Sequence, residues 1–268
     1  MINKEIEINI NENQASIITY ILDNSKEIDE NRVRPMVIIC PGGGYRFLSD
    51  REAEPIAIQM NAMGFHACIL RYSVYPAAFP TALMQLAYTV AYIREHAKEW
   101  NVCTNKIIVA GFSAGGHLAA SLGTLWQEGF LEEMLPISKD KYRPNGMILS
   151  YPVINSGDFA HRDSFEALLQ DKYLKLREEV SLENKVSKFT PPAFIWHTYA
   201  DQVVPVENSL LFAMAMRKNN IPVELHIYPR GDHGLALANE ETEHKMFHTI
   251  YPECQNWISM AGSWLRNL

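Results

Sequence analysis

The chain has 268 residues, 47% of them hydrophobic and 21% charged, which suits one α/β domain with a large core. Its 31 acidic and 24 basic residues give a formal charge of −7 with no run of Lys and Arg, which argues against a nucleic-acid partner. No stretch approaches the roughly 20 apolar residues of a membrane helix, so no membrane partner is expected either.

Met1 to Ile10 alternate polar and apolar residues like an edge strand, without the continuous apolar stretch of a secretory signal. With residues 16–22 this segment predicts a hairpin, followed by a charged linker from Asp23 to Arg34. From there strand and helix patterns alternate. Strands are expected near 35–40, 65–71, 106–110, 146–150, 193–198 and 223–228, and helices near 51–63, 80–99, 114–127, 205–219 and 254–267. Such alternation predicts a mainly parallel, doubly wound sheet with helices on both faces, formed by residues 1–268 as a single domain.

The clearest helix is 80–99, where Pro80 and Thr81 open an apolar stripe through Leu83, Leu86, Ala87, Val90 and Ile93. The rhythm breaks between Asn155 and Lys188, a mixture of Gly157, aromatics and charges around the short amphipathic stretch Phe165–Leu168–Leu169. Loops of that length in compact domains are functional or mobile, so a small cap or lid at about 155–190 is expected to supply part of a pocket. Cys40, Cys68, Cys103 and Cys254 are widely spaced and read as reduced thiols, the pattern of a cytoplasmic protein.

Chemistry concentrates where strands end. The run Arg34 to Cys40 leads straight into Pro41-Gly42-Gly43-Gly44-Tyr45, and three glycines after a strand serve a path that side chains would block. Such a path lays backbone N–H groups against an anionic oxygen. A phosphate loop is the alternative, but neither G-x-G-x-x-G nor a Walker lysine is present. Next, Lys106 to Ala110 runs into Gly111-Phe112-Ser113-Ala114-Gly115 and a helix, giving a G-x-S-x-G pattern in a strand-turn-helix setting. There the serine is strained and its Oγ raised, and the amide of Ala114 points at any negative charge that develops beside it. The bland alternative is a serine that merely caps the helix.

A base and an acid follow two later strands. Asp201 comes after Pro192 to His197, and His233 comes after Val223 to Tyr228, so both lie at the sheet edge where open parallel sheets place their sites. Of nine histidines, His233 sits on the loop that must swing toward Ser113. His66, His96, His226, His244 and His248 fall in strands or helices and read as packing or surface residues, while His117 and His197 read as structural or supporting. Asp232 competes with Asp201 for the acid, but a residue adjacent to His233 points its side chain away. Asp158 and Asp163 are outside candidates. No H-E-x-x-H and no zinc-finger spacing occurs, so no metal or cofactor is expected.

At these residues, from about Arg34 to the C-terminus, the chain resembles the α/β-hydrolase superfamily, and within it small esterases grouped with acetyl esterases, acetylxylan esterases and hormone-sensitive-lipase-like enzymes. The pieces that carry the resemblance are Pro41 to Tyr45, Gly111 to His117, Tyr151-Pro152-Val153-Ile154, Asp201 to Pro205 and Asp232-His233-Gly234. One departure is Pro41, where many relatives have His; oxyanion contacts come from backbone amides, so the change spares them. The order Ser113, Asp201, His233 is the order of that fold. The resemblance implies a Ser-His-Asp carboxylesterase acting on short-chain, above all acetyl, esters of small molecules, with sugars or xylo-oligosaccharides as candidate alcohols. Gly43, Gly44 and Ala114 are the expected oxyanion donors. Tyr45, Tyr72 and Tyr151, with Tyr75, lie on loops near strand ends as candidate substrate contacts, plain packing carrying equal weight. A serine peptidase of the same fold and a catalytically silent binding protein are the alternatives, and a homo-oligomer is allowed.

Overall fold

The computed structural model describes all 268 residues. Eight strands form one sheet in the order β1-β2-β4-β3-β5-β6-β7-β8. They are β1 (Glu5–Ile10), β2 (Asn13–Tyr20), β3 (Arg34–Cys40), β4 (His66–Arg71), β5 (Val102–Phe112), β6 (Gly146–Ser150), β7 (Ala193–Thr198) and β8 (Val223–Tyr228). β1 and β2 pair as the expected antiparallel hairpin, and β2 joins β4 antiparallel; every pairing from β4 through β8 is parallel. This is the α/β-hydrolase arrangement.

The helices are α1 (Glu54–Ala62), α2 (Thr81–Glu95), α3 (Ala97–Trp100), α4 (Ala114–Leu125), α5 (Gly129–Met134), α6 (Lys139–Tyr142), α7 (Arg162–Leu169), α8 (Tyr173–Leu176), α9 (Glu207–Lys218) and α10 (Trp257–Asn267). Strand alternation explains why they cover both faces. Met36, Ile38, Ile107 and Val109 join one buried cluster with residues of α2, α4 and α9, while Val37, Ile39, Ile108 and Ala110 join a second with residues of α1 and α10. Apolar residues on both sides of a strand leave no solvent face, so helices must close both.

Two expected helices divide. The one near 51–63 becomes a 3-10 turn, Asp50–Glu52, followed by α1, because Pro55 sits in the first turn of α1 and cannot continue a helix begun upstream. The one near 80–99 breaks at His96, whose backbone leaves the helical region (φ −87°, ψ 7°) before α3. The expected cap at 155–190 contains α7, α8 and 3-10 turns, and it is tied down. Leu168 O accepts from Phe79 N at 2.8 Å, Leu182 N donates to Ile154 O at 3.1 Å, and Val180 O meets His117 Nε2 at 2.9 Å.

Candidate active site

Every expected chemical residue lies past the C-terminal end of a strand: the glycine loop after β3, Ser113 after β5, Asp201 after β7 and His233 after β8. Since β3 and β5 are neighbours, the glycine loop runs beside the serine.

Ser113 has φ 53° and ψ −118°, a conformation that costs on the order of 1–3 kcal/mol for a residue with a Cβ. Its backbone is pinned on three sides. Its N–H donates to Ser150 O (3.0 Å), and its carbonyl accepts from Val153 N (3.0 Å) and His117 N (3.1 Å). The flanking glycines are required by space: a Cβ on Gly111 would lie 2.0 Å from Gly115 O, and one on Gly115 would lie 2.0 Å from Cys40 O. The serine side chain makes no capping bond to its helix. Instead Ser113 Oγ lies 2.8 Å from His233 Nε2, and His233 Nδ1 lies 2.7 Å from Asp201 Oδ2. A carboxylate only accepts, so Nδ1 carries the hydrogen and Nε2 is free to accept from the serine hydroxyl.

Asp201 is almost fully buried and fully used. Oδ1 accepts from the amides of Val203 and Val204, both at 2.9 Å, and Oδ2 also faces His197 Nε2 at 3.3 Å. Burial alone would raise its pKa, but the hydrogen bonds and electrostatic pull of His197 and His233 outweigh it and hold the carboxyl well below the usual carboxylate range. His197 is oriented in turn by Val204 O (3.0 Å), an acceptor for its Nε2–H, and by Ser209 Oγ (2.7 Å) on Nδ1. So held, it backs the Asp201 carboxylate. The competing acid, Asp232, is exposed.

The amides of Gly43 and Gly44 donate to nothing within the protein, and Ala114 opens α4, where first-turn amides lack helical acceptors. Gly43 (φ +127°) and Gly44 (φ +63°) take backbone paths that favour glycine. These three expected donors thus border Ser113, in a cleft of about 610 Å³ that both glycines, Ser113 and His233 line.

The tyrosines are a correction. Tyr45, Tyr72 and Tyr151 are buried and none lines the cleft. Their hydroxyls are committed inside: Tyr45 to His117 Nδ1 (2.9 Å), Tyr72 to Pro41 O (2.6 Å) and Tyr151 to Glu52 Oε1 (2.7 Å). Residues just past a strand end face either inward or outward, and here they brace the loops from beneath. Tyr75 is exposed, with the Arg46 guanidinium 5.8 Å above its ring.

The cleft wall comes from side chains that the sequence did not single out for it. His161 and Asp163 reach it from the start of the 155–190 insertion, and Arg46, Phe47, Arg51 and Glu52 from the segment after the glycines. His244, expected as packing or surface, also lines it. His161 Nδ1 is held by Ser164 Oγ at 2.7 Å, and its pKa is lowered by burial and then by the charge of His233. His117 accepts from Tyr45 through Nδ1 and donates to Val180 O through Nε2; burial pulls its pKa down to about 4, so it is a neutral structural brace.

A BD-FAE family model matches residues 22–216, spanning the glycine loop, Ser113 and Asp201. The chain belongs to the BD-FAE family. His233 lies beyond that match, so its part in the site rests on geometry. Among relatives, an endo-1,4-beta-xylanase B of Butyrivibrio fibrisolvens is 39% identical over 78% of this chain and 33% of its own length. An acetylxylan esterase of Xylanibacter ruminicola is 31% identical over 86% of this chain and 46% of its own. The chain thus spans less than half the length of either. Whole-length likeness is found among solved structures: a carboxylesterase from Lactobacillus plantarum (TM-score 0.88, 30% identity, 100% of this chain and 98% of that one) and an acetyl ester-xyloside bifunctional hydrolase from Caldicellulosiruptor lactoaceticus (TM-score 0.78, 36% identity, 94% and 88%). The likeness to these solved structures places this BD-FAE member in the α/β-hydrolase fold, beside proteins named as carboxylic ester hydrolases.

Proposed function

We propose that the protein is a serine carboxylesterase that removes short acyl groups, acetyl above all, from sugars or xylo-oligosaccharides. The observation that carries this reading is the continuous relay from Ser113 Oγ through His233 to Asp201, with spacings of 2.8 and 2.7 Å. His233 Nε2 takes the hydroxyl proton as Ser113 attacks the ester carbonyl, and Asp201 holds the imidazolium that forms. The carbonyl oxygen, now an oxyanion, rests on the amides of Ala114 and of Gly43 or Gly44, each such donor being worth about 3 kcal/mol of barrier. His233 then protonates the leaving alcohol, and a water activated by the same ring releases the acyl group.

The preference for a polar alcohol draws support from the cleft wall. Arg46, Arg51, His161, Asp163 and His244 line the cleft and offer hydrogen bonds to hydroxyl groups. The relatives named for acetylxylan and for acetyl ester-xyloside substrates point the same way. The test is a panel of nitrophenyl esters from acetyl to octanoyl beside acetylated xylose and xylobiose. Highest kcat/KM with acetyl groups and turnover of the sugar esters are expected, whereas a maximum at octanoyl would remove the deacetylase reading.

A further inference from the structure

We propose that Glu52 is a positioning residue, a buried carboxylate that fixes the oxyanion loop and the His233 loop relative to one another. The inference rests on the esterase reading above.

Glu52 is 3% exposed, and a carboxylate so placed is stable only if donors replace its water. It has one for each oxygen. Oε2 accepts the amide of Gly42 at 2.8 Å, and Oε1 accepts the Tyr151 hydroxyl at 2.7 Å. The Gly42 amide belongs to the Pro41–Gly42 peptide, one before the peptide that carries the Gly43 amide, so holding it anchors the start of the loop that presents the Gly43 and Gly44 amides. The fit is close: a Cβ on Gly42 would lie 2.7 Å from Glu52 Oε2 and 3.0 Å from Ser113 Cβ.

The second arm runs to the base. Tyr151 Oη, besides donating to Glu52, accepts the amide of Ala236 at 3.0 Å, three residues after His233. Its ring meets the His233 imidazole edge to face, with centroids 5.1 Å apart and planes at 72°. Tyr151 has φ 37°, a left-handed backbone that the surroundings must hold in place for a residue with a Cβ. Burial first, and then the Glu52 charge, raise the Tyr151 pKa well above the ordinary value, which keeps the hydroxyl a donor. Two donors from two different loops therefore converge on one side chain. A glutamine offers a single acceptor in that place, so Glu52→Gln keeps the volume but removes the charge and leaves either the Gly42 amide or the Tyr151 O–H hydrogen without an acceptor, the bond to Tyr151 surviving only with its direction reversed.

The experiment measures Glu52→Gln, Tyr151→Phe and the double variant with nitrophenyl acetate, per active site titrated with an organophosphate so that unfolded protein does not register. Affinity for an aryl trifluoromethyl ketone, which forms a tetrahedral adduct on a nucleophilic serine, is measured alongside. Glu52→Gln is expected to lower kcat about 10- to 100-fold, the scale of a misplaced reacting geometry, with KM within about twofold and ketone affinity falling in proportion to kcat. Tyr151→Phe loses less, because the Gly42 bond survives, and the double variant matches Glu52→Gln, because both cut one network. Unchanged kcat, a loss confined to KM, or losses that multiply in the double variant would overturn the proposal. Ser113→Ala run in parallel separates the two readings: activity retained there removes the esterase mechanism itself, whereas its loss with Glu52→Gln unaffected removes only the role of Glu52.

Discussion

The site has a floor and a wall, and they are built differently. The floor comprises Ser113, the Gly42–Gly44 loop and Asp201, where the backbone is set by glycine clearances of 2.0 to 2.7 Å at Gly42, Gly43, Gly111 and Gly115 and the polar side chains of Ser113 and Asp201 are paired. The wall comprises Arg46, Phe47, His161, Asp163 and His244, side chains on loops and helix ends, several of them exposed; Phe47 keeps 62% of its surface in water. A floor fixed by backbone suits chemistry that tolerates little displacement, and a wall of side chains suits recognition that can change without disturbing it.

The comparison breaks most sharply at Ser113. Ser113→Ala should lower kcat on nitrophenyl acetate by on the order of 10⁶-fold without unfolding the chain, because alanine removes the hydroxyl and keeps the Cβ. Comparable turnover in that variant would mean that the floor is not where the chemistry occurs. Asp201→Asn should cost about 10⁴-fold, since an amide facing His233 favours the wrong tautomer. Asp232→Asn should leave activity within about twofold, the ordinary outcome for an exposed side chain. Equal losses in the two aspartates would break the assignment of the acid.

These contrasts explain what could be read from the sequence. Gly42, Gly43, Gly111 and Gly115 mark places where a side chain cannot fit, and Asp201 and His233 each follow an apolar run that ends at the sheet edge. Both signals are local. Glu52 lacked one: it reads as an acid in the first turn of an expected helix, and only the fold brings it under Gly42 and Tyr151. His161 is similar, a lone histidine in a segment without periodicity, placed at the cleft by the packing of α7 through Phe165 and Leu168. The tyrosines failed from the opposite cause. Their position at strand ends was legible, but whether a side chain there turns up to the cleft or down into the core depends on partners such as His117 and Glu52, distant in the chain.

A smaller effect probes the wall. His161→Ala should raise KM for acetylated xylose about tenfold, the loss of one or two hydrogen bonds to a polar alcohol, and should raise it less for nitrophenyl acetate. Steady-state kinetics on both esters check this. A uniform fall in kcat on both would instead move His161 from recognition to the chemistry of the floor.

The last effect concerns the brace between the two regions and is read in stability rather than in turnover. His117, one turn into α4 behind Ser113, donates to Val180 of the insertion, and its pKa is pulled down to about 4 by burial. Unfolded, the ring titrates near 6.5, so between about pH 6.5 and 4 the unfolded chain binds more protons than the folded one. Stability is therefore highest above the unfolded value and falls as pH drops through that window, by about 3 kcal/mol from this group at full effect. Asp201 acts in a separate window: its depressed pKa lends stability above the unfolded carboxylate value, which is lost only on further acidification. His66, also lowered to about 4 by burial and Arg34, adds a slope of the same sign. Urea unfolding of wild type and His117→Gln at pH 7, 5.5 and 4.5 isolates the brace, because His66 contributes equally to both proteins. The variant should be less stable at pH 7, having lost its fit to Tyr45 and Val180, and the gap should narrow as pH falls. Parallel curves would show that His117 is not what couples insertion and floor to pH.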